Sequence, residues 1–124
     1  MRKIKSVYSG GLLVSQFGRE TDLIETTDSY VKAIHIDTSL FKTITARFTN
    51  FDAANIISYK ILGYVDGLGP DYDTIFEGEL AANSIENIIN AESYLQYSKI
   101  EIYVKSKSAG NAASYNWQYF ATIY

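Results

Sequence analysis

"YSKIEIYVKSKS" (residues 97–108) alternates with period two through its centre. Ile100, Ile102 and Val104 fall on one side of an extended chain, and Lys99, Glu101, Tyr103 and Lys105 on the other. Successive side chains of a β-strand point to opposite faces, so this stretch buries one face and wets the other. On a helix the same residues would scatter around the circumference. It predicts a half-buried strand.

The same period recurs in both directions along the chain. "TITARFTN" puts Ile44, Ala46 and Phe48 on one face, with Thr43, Thr45, Arg47 and Thr49 on the other. "YKILGYVDG" continues a strand with Ile57, Tyr59, Ile61, Gly63 and Val65 on one side and Ser58, Lys60, Leu62 and Tyr64 on the other. Further strands are expected at "YVKAIHID", "DTIFEGEL" and "YNWQYFATIY". The last sets Trp117, Tyr119, Ala121 and Ile123 against Phe120 and Thr122. "NSIENIINAESY" admits a short helix capped by Asn83 or Ser84, but strand or irregular backbone is the better reading. Turn residues separate the strands in "NFDAAN", "DGLGPDYD", "AAN" and "SAGNAAS".

Short strands at regular spacing, without long amphipathic helices between them, predict an all-β fold: a single antiparallel β-sandwich, jelly-roll-like. The sandwich domain is expected over residues 30–124. Residues 1–29 mix a Gly-Gly break, a brief apolar patch and a polar stretch, which predicts an N-terminal arm or an extra hairpin.

The totals narrow the function classes. At 124 residues the chain is one domain's length, and 47% hydrophobic with 20% charged residues describes a globular protein rather than a disordered one. Eleven Tyr and six Phe supply rings with both packing area and, for Tyr, a polar tip suited to contacts between proteins. A net charge of −3 gives no general attraction for nucleic acid, and Arg2, Lys3 and Lys5 read as a solvated terminus. There is no cysteine, which excludes disulfides and thiolate metal sites. No window approaches the roughly 18 apolar residues of a membrane helix, and the apolar run at residues 12–14 is too short for a secretory signal core. The expectation is a chain made in a cytoplasm, with no membrane partner.

No catalytic constellation stands out. The one histidine, His35, has Asp37 two residues on and on the same strand face, and two such groups do not make a site. No Gly-x-Ser-x-Gly elbow occurs. "DGLGPDYD" reads as hairpin-loop chemistry before it reads as a metal site; Asp66, Asp71 and Asp73 are the residues a Ca²⁺ would use there. No cofactor and no small-molecule substrate is expected.

"ITARFTNFDAANIISYKILGYVDG", the strand "FEGELA" and "YLQYSKIEIYVKSKSAGNAASYNWQYFATI" together resemble small β-sandwich proteins among the virion components of tailed bacteriophages. The matching residues are Thr49-Asn50, Tyr59-Lys60-Ile61-Leu62 and residues 97–106, within a span of residues 43–124. The resemblance implies capsid decoration (cement), head-fibre or tail-associated roles without catalysis. It implies a virion location and, as partners, further copies of the chain or a major capsid protein. On this reading the interface residues are Tyr8, Leu12, Leu13, Phe17, Tyr72 and Tyr94, and a chain beginning at Tyr30 would fold without assembling. Two alternatives stand beside it: an extracellular or spore-surface filament built by N-terminal strand addition, and a carbohydrate-binding module using exposed rings.

Overall fold

A computed structural model describes residues 2–65, 71–89 and 96–123. The strands are β1 (Arg2–Ser9), β2 (Leu12–Glu20), β3 (Ile24–Glu25), β4 (Val31–Ile36), β5 (Thr43–Asn50), β6 (Ile57–Tyr64), β7 (Asp73–Leu80), β8 (Ile85–Ile89), β9 (Lys99–Ser106) and β10 (Ser114–Thr122). A 3₁₀ turn, Thr38–Leu40, joins β4 to β5. Asp37 starts it: its Oδ1 accepts from the Ser39 amide at 3.2 Å and from the Ser39 hydroxyl at 2.6 Å.

The strands form two antiparallel sheets. One has the order β1-β2-β10-β5-β8, with β3 also pairing β10; the other has the order β4-β9-β6-β7. Four nested pairs explain this arrangement: β6 with β7, β5 with β8, β4 with β9, and β2–β3 with β10. They describe one long ribbon rolled up on itself. The roll closes where β10 meets β5 and β9 meets β6. That is the eight-stranded jelly roll, with β1 added outside it.

The core lies between the sheets and follows the period-two reading. Ile44, Ala46 and Phe48 meet Ile57, Tyr59, Ile61, Ile100, Ile102 and Val104, and Trp117, Tyr119 and Ala121 of β10 complete it. Each large side chain taken out of water contributes on the order of 1.5–3 kcal/mol. Phe48 stacks on Tyr115 at 6.0 Å, and Trp117 on Tyr119 at 6.1 Å. Burial, with Glu20 nearby, pushes the Tyr115 hydroxyl up to about 12. The Trp117 indole N–H is buried without a hydrogen-bond partner among the described residues.

Polar knots fasten the strand ends. The buried Asn50 amide donates to the carbonyls of Asn55 at 2.9 Å and Leu80 at 3.2 Å, and its Oδ1 accepts from the Asp52 amide at 2.9 Å. Asp52 in turn accepts from the Ala54 and Asn55 amides, and these bonds hold its carboxyl below the ordinary range. Thr26, also buried, donates its amide to the Ala113 carbonyl and accepts the Ala113 amide on its hydroxyl.

Of the two forms expected for residues 1–29, the described residues adopt the hairpin. Gly10 and Gly11, with φ of 60° and 83°, form the two-residue loop between Ser9 and Leu12. Positive φ at both positions is what a tight hairpin turn matching the strand twist requires. Gly18 lets β2 lie close: a Cβ there would come within 2.6 Å of the Tyr119 ring. Because β2 and β3 both pair with β10, a chain beginning at Tyr30 would strip β10 of its outer neighbours. Among the described strands, only β1 lies outside the roll.

Three finer expectations shift. Val65 lies past the end of β6 and is 72% exposed instead of facing the core. Leu62 and Tyr64, read as outward, are buried; Lys99 and Tyr72 pack against the Tyr64 ring. "NSIENIINAESY" contributes β8 over Ile85–Ile89, preceded by Asn83 at φ 56°, a turn rather than a helix cap; residues 90–95 lie outside the described residues.

Candidate functional site

Three surfaces could engage a partner. The first is the β1–β2 hairpin. Beside its Gly-Gly turn Tyr8 is 62% and Leu12 is 73% exposed, and Ile4 and Val7 are exposed along β1. β1 is also an edge strand, paired on one side only. Its backbone edge carries Lys3 and Lys5, and a bulge falls between Val7 and Tyr8. Lysines and bulges on an edge oppose further strand pairing, which leaves the apolar tip as the adhesive part.

The second surface is the exterior of the four-stranded sheet. Glu101, read as an outward solvated residue, is only 5% exposed. Tyr64 donates its hydroxyl to the Glu101 carboxylate at 2.6 Å, Tyr103 at 3.1 Å, and Lys32 at 3.2 Å, with the Lys99 ammonium 3.9 Å away. Burial works to raise the Glu101 carboxyl, but the three hydrogen bonds and the Lys32 charge outweigh it and hold the group below its ordinary value. The same bond pushes the Tyr64 hydroxyl up, with burial adding to it. Lys99 lies over the Tyr64 ring at 4.5 Å, Tyr72 packs at 5.9 Å from that ring, and Lys60 sits over Tyr30 at 4.4 Å. A polar cleft of about 390 Å³ adjoins this cluster, lined in part by His35, Asp37 and Ser98. His35 lies opposite Glu101 in register. With its lone pairs occupied and its charge balanced, Glu101 is built as a fastening, not as a base awaiting a proton.

The third surface is the exterior of the larger sheet. Register places Lys3, Arg19, Gln118, Arg47 and Asn87 in one row across β1, β2, β10, β5 and β8. The adjoining row is Lys5, Phe17, Phe120 and Thr45. Phe17 and Phe120 are direct cross-strand partners, and Phe120 is half exposed. Arg47 donates from Nε to the Asn87 Oδ1 at 2.8 Å. Among the described residues no carboxylate forms an ion pair with Lys3, Lys5, Arg19 or Arg47. A groove of about 400 Å³ runs between Phe17 and Arg19 on one side and Thr45 and Arg47 on the other, with Gln118 and Phe120 in its floor.

The residues singled out from the sequence are spread over these surfaces. Tyr8 and Leu12 share the hairpin tip; Leu13 is partly buried and packs on the core. Phe17 belongs to the large sheet's exterior, and Tyr72 to the Tyr64 cluster on the other sheet. Tyr94 lies outside the described residues, as does Asp66. Asp71 and Asp73 are exposed, and Asp73 accepts a hydrogen bond from the Tyr97 hydroxyl at 3.1 Å. Among the described residues no three His, Asp or Glu side chains cluster as metal ligands would, and no helix is long and apolar enough to cross a membrane. No family model matches the chain, and no curated protein matches it.

Sequence reasoning missed Glu101 and the Arg19–Gln118–Arg47 row. The individual outward residues of β5 and β9 are readable from alternation, but which strand lies beside which is not. The Glu101 burial depends on Lys32 and Tyr64 arriving from two neighbouring strands.

Proposed function

We propose that the protein is a non-enzymatic structural component that joins copies of itself or a surrounding shell through the tip of its β1–β2 hairpin, with a virion lattice as its setting. The observation that carries this reading is the pair Tyr8 and Leu12. Both are large, mostly exposed and adjacent to one turn, on a hairpin whose first strand is additional to the eight-stranded roll. Apolar side chains held out on an outlying element are unfavourable for a lone subunit and favourable for one that docks. Jelly rolls build viral shells and lectins alike, so the fold is compatible with this reading without selecting it. The resemblance of residues 43–124 to small virion sandwiches adds the setting.

Between decoration and a filament built by strand addition, the edge of β1 favours decoration. Lys3, Lys5 and the bulge hinder a further strand, so contact is made through side chains.

The test is sedimentation equilibrium of the full chain beside the double variant Tyr8→Asp, Leu12→Asp. The full chain is expected to associate with itself or to bind a shell lattice, and the variant to remain folded and monomeric. Equal association of the two proteins would refute the hairpin as the joint. Ordered fibres in the electron microscope would favour the filament instead.

A further inference from the structure

We infer that the exterior of the large sheet is a binding site for an acidic saccharide: a pyranose bearing a carboxylate, within a polysaccharide. This surface is separate from the hairpin tip, and the inference stands or falls independently of the assembly role.

Charge points to an anionic ligand. The chain is net negative, yet Arg19 and Arg47 face one groove with the two lysines of β1 beside them, and among the described residues none of the four is ion-paired. Guanidinium groups without a counter-ion at this density favour an anionic ligand, and arginine matches a carboxylate through two parallel hydrogen bonds. Arg19 and Arg47 stand on strands two apart, so their backbones are about 10 Å apart across the groove, one on each side of Gln118. An anionic group can be gripped from either wall.

The floor adds apolar contact. Phe17 and Phe120 are exposed cross-strand partners in the row beside the arginines, with Thr45 next to Phe120 in that row and Gln118 between the arginines in the other. A sugar acid has the matching parts: an apolar C–H face to lie on a ring, hydroxyls for an amide and a hydroxyl side chain, and a carboxylate for arginine. At about 400 Å³ the groove lies within the range of small-ligand sites.

The overall charge separates this ligand from a nucleic-acid strand. With these four cations set aside, seven of the eleven Lys and Arg remain against fourteen Asp and Glu. A long, evenly charged polyanion extending beyond the groove is opposed by the net negative charge of the rest of the molecule. A saccharide chain with widely spaced carboxylates suffers less.

Fluorescence anisotropy of the full-length protein with labelled oligosaccharides tests the site. The probes are fragments of hyaluronan, unsulfated chondroitin and glucuronoxylan, whose carboxylates are separated by neutral sugars, with a neutral maltooligosaccharide and a short oligothymidylate alongside. At least one acidic saccharide is expected to bind, with no saturable binding of the neutral one. Arg47→Ala and Arg19→Ala should each weaken binding by about tenfold, the size of a lost charge-assisted hydrogen bond. Phe120→Ala should weaken it several-fold, and all three positions are exposed, so the variants keep the fold. Failure of all three acidic probes overturns the site. So does binding that oligothymidylate equals and Phe120→Ala leaves unchanged, which would be adsorption of polyanions to bare charge.

Discussion

The exteriors of the two sheets solve the same problem in opposite ways. Both are outward faces of period-two strands, and both carry lysine or arginine among aromatic rings. On the four-stranded sheet these groups satisfy one another: Glu101 takes Tyr64, Tyr103 and Lys32, while Lys60 and Lys99 lie over tyrosine rings. On the larger sheet Arg19 and Phe120 face outward without such company, and the hairpin beyond them leaves Tyr8 and Leu12 exposed. Register explains the difference. Glu101 stands between strands that present Lys32 and Tyr64, whereas Gln118 stands between two arginines. A face whose neighbours complement one another closes itself; a face whose neighbours share a charge stays open to a ligand.

Substitutions should separate these regions by size of effect. Asn50→Ala is expected to cost the most, about 3 kcal/mol, because it removes three hydrogen bonds and leaves the Asn55 and Leu80 carbonyls and the Asp52 amide short of a partner. Urea denaturation measures it, and a loss under about 1 kcal/mol would show the knot to be incidental.

Glu101→Gln should cost about 2 kcal/mol at neutral pH, since Lys32 and Lys99 lose their counter-charge on a partly covered surface. The sign of its pH dependence follows from a folded-state carboxyl held below the ordinary value of 4.5. The stabilisation is present above that value and disappears as pH falls through the folded-state value. Wild type and variant should therefore converge in stability on acidification below about 4.5. Parallel stability curves down to strong acid would contradict the assignment.

Substitution at the open regions should barely register in stability. Leu12→Ser is expected to change it by no more than about 0.5 kcal/mol, as for other exposed positions, while weakening self-association. A large loss of thermal stability would mean that the hairpin tip is part of the fold's own packing.

What could be read in advance follows the same division. Alternation in β5, β9 and β10 carried the core, because a strand with one buried face must write its apolar residues at every second position. β1 escaped that reading because it is exposed on both faces, so nothing imposes a period on its residues. Its Gly-Gly turn was visible, but whether the segment folds back or reaches away depends on β10 accepting β2 beside it. The candidate sites were less legible still. Tyr8 and Leu12 are recognisable as apolar residues beside a turn, whereas the Arg19–Gln118–Arg47 row comes from three strands far apart in the chain. Alternation orients a side chain; only register supplies its neighbours.

The most direct test of the hairpin's role compares sedimentation of the full chain with that of a chain beginning at Gly11, which lacks β1 and retains the eight strands of the roll. The shorter chain is expected to keep the wild-type near-ultraviolet circular dichroism and to be monomeric, while the full chain associates in a concentration-dependent way. A full chain that stays monomeric without a shell, and binds one no better than the shorter chain does, would contradict it.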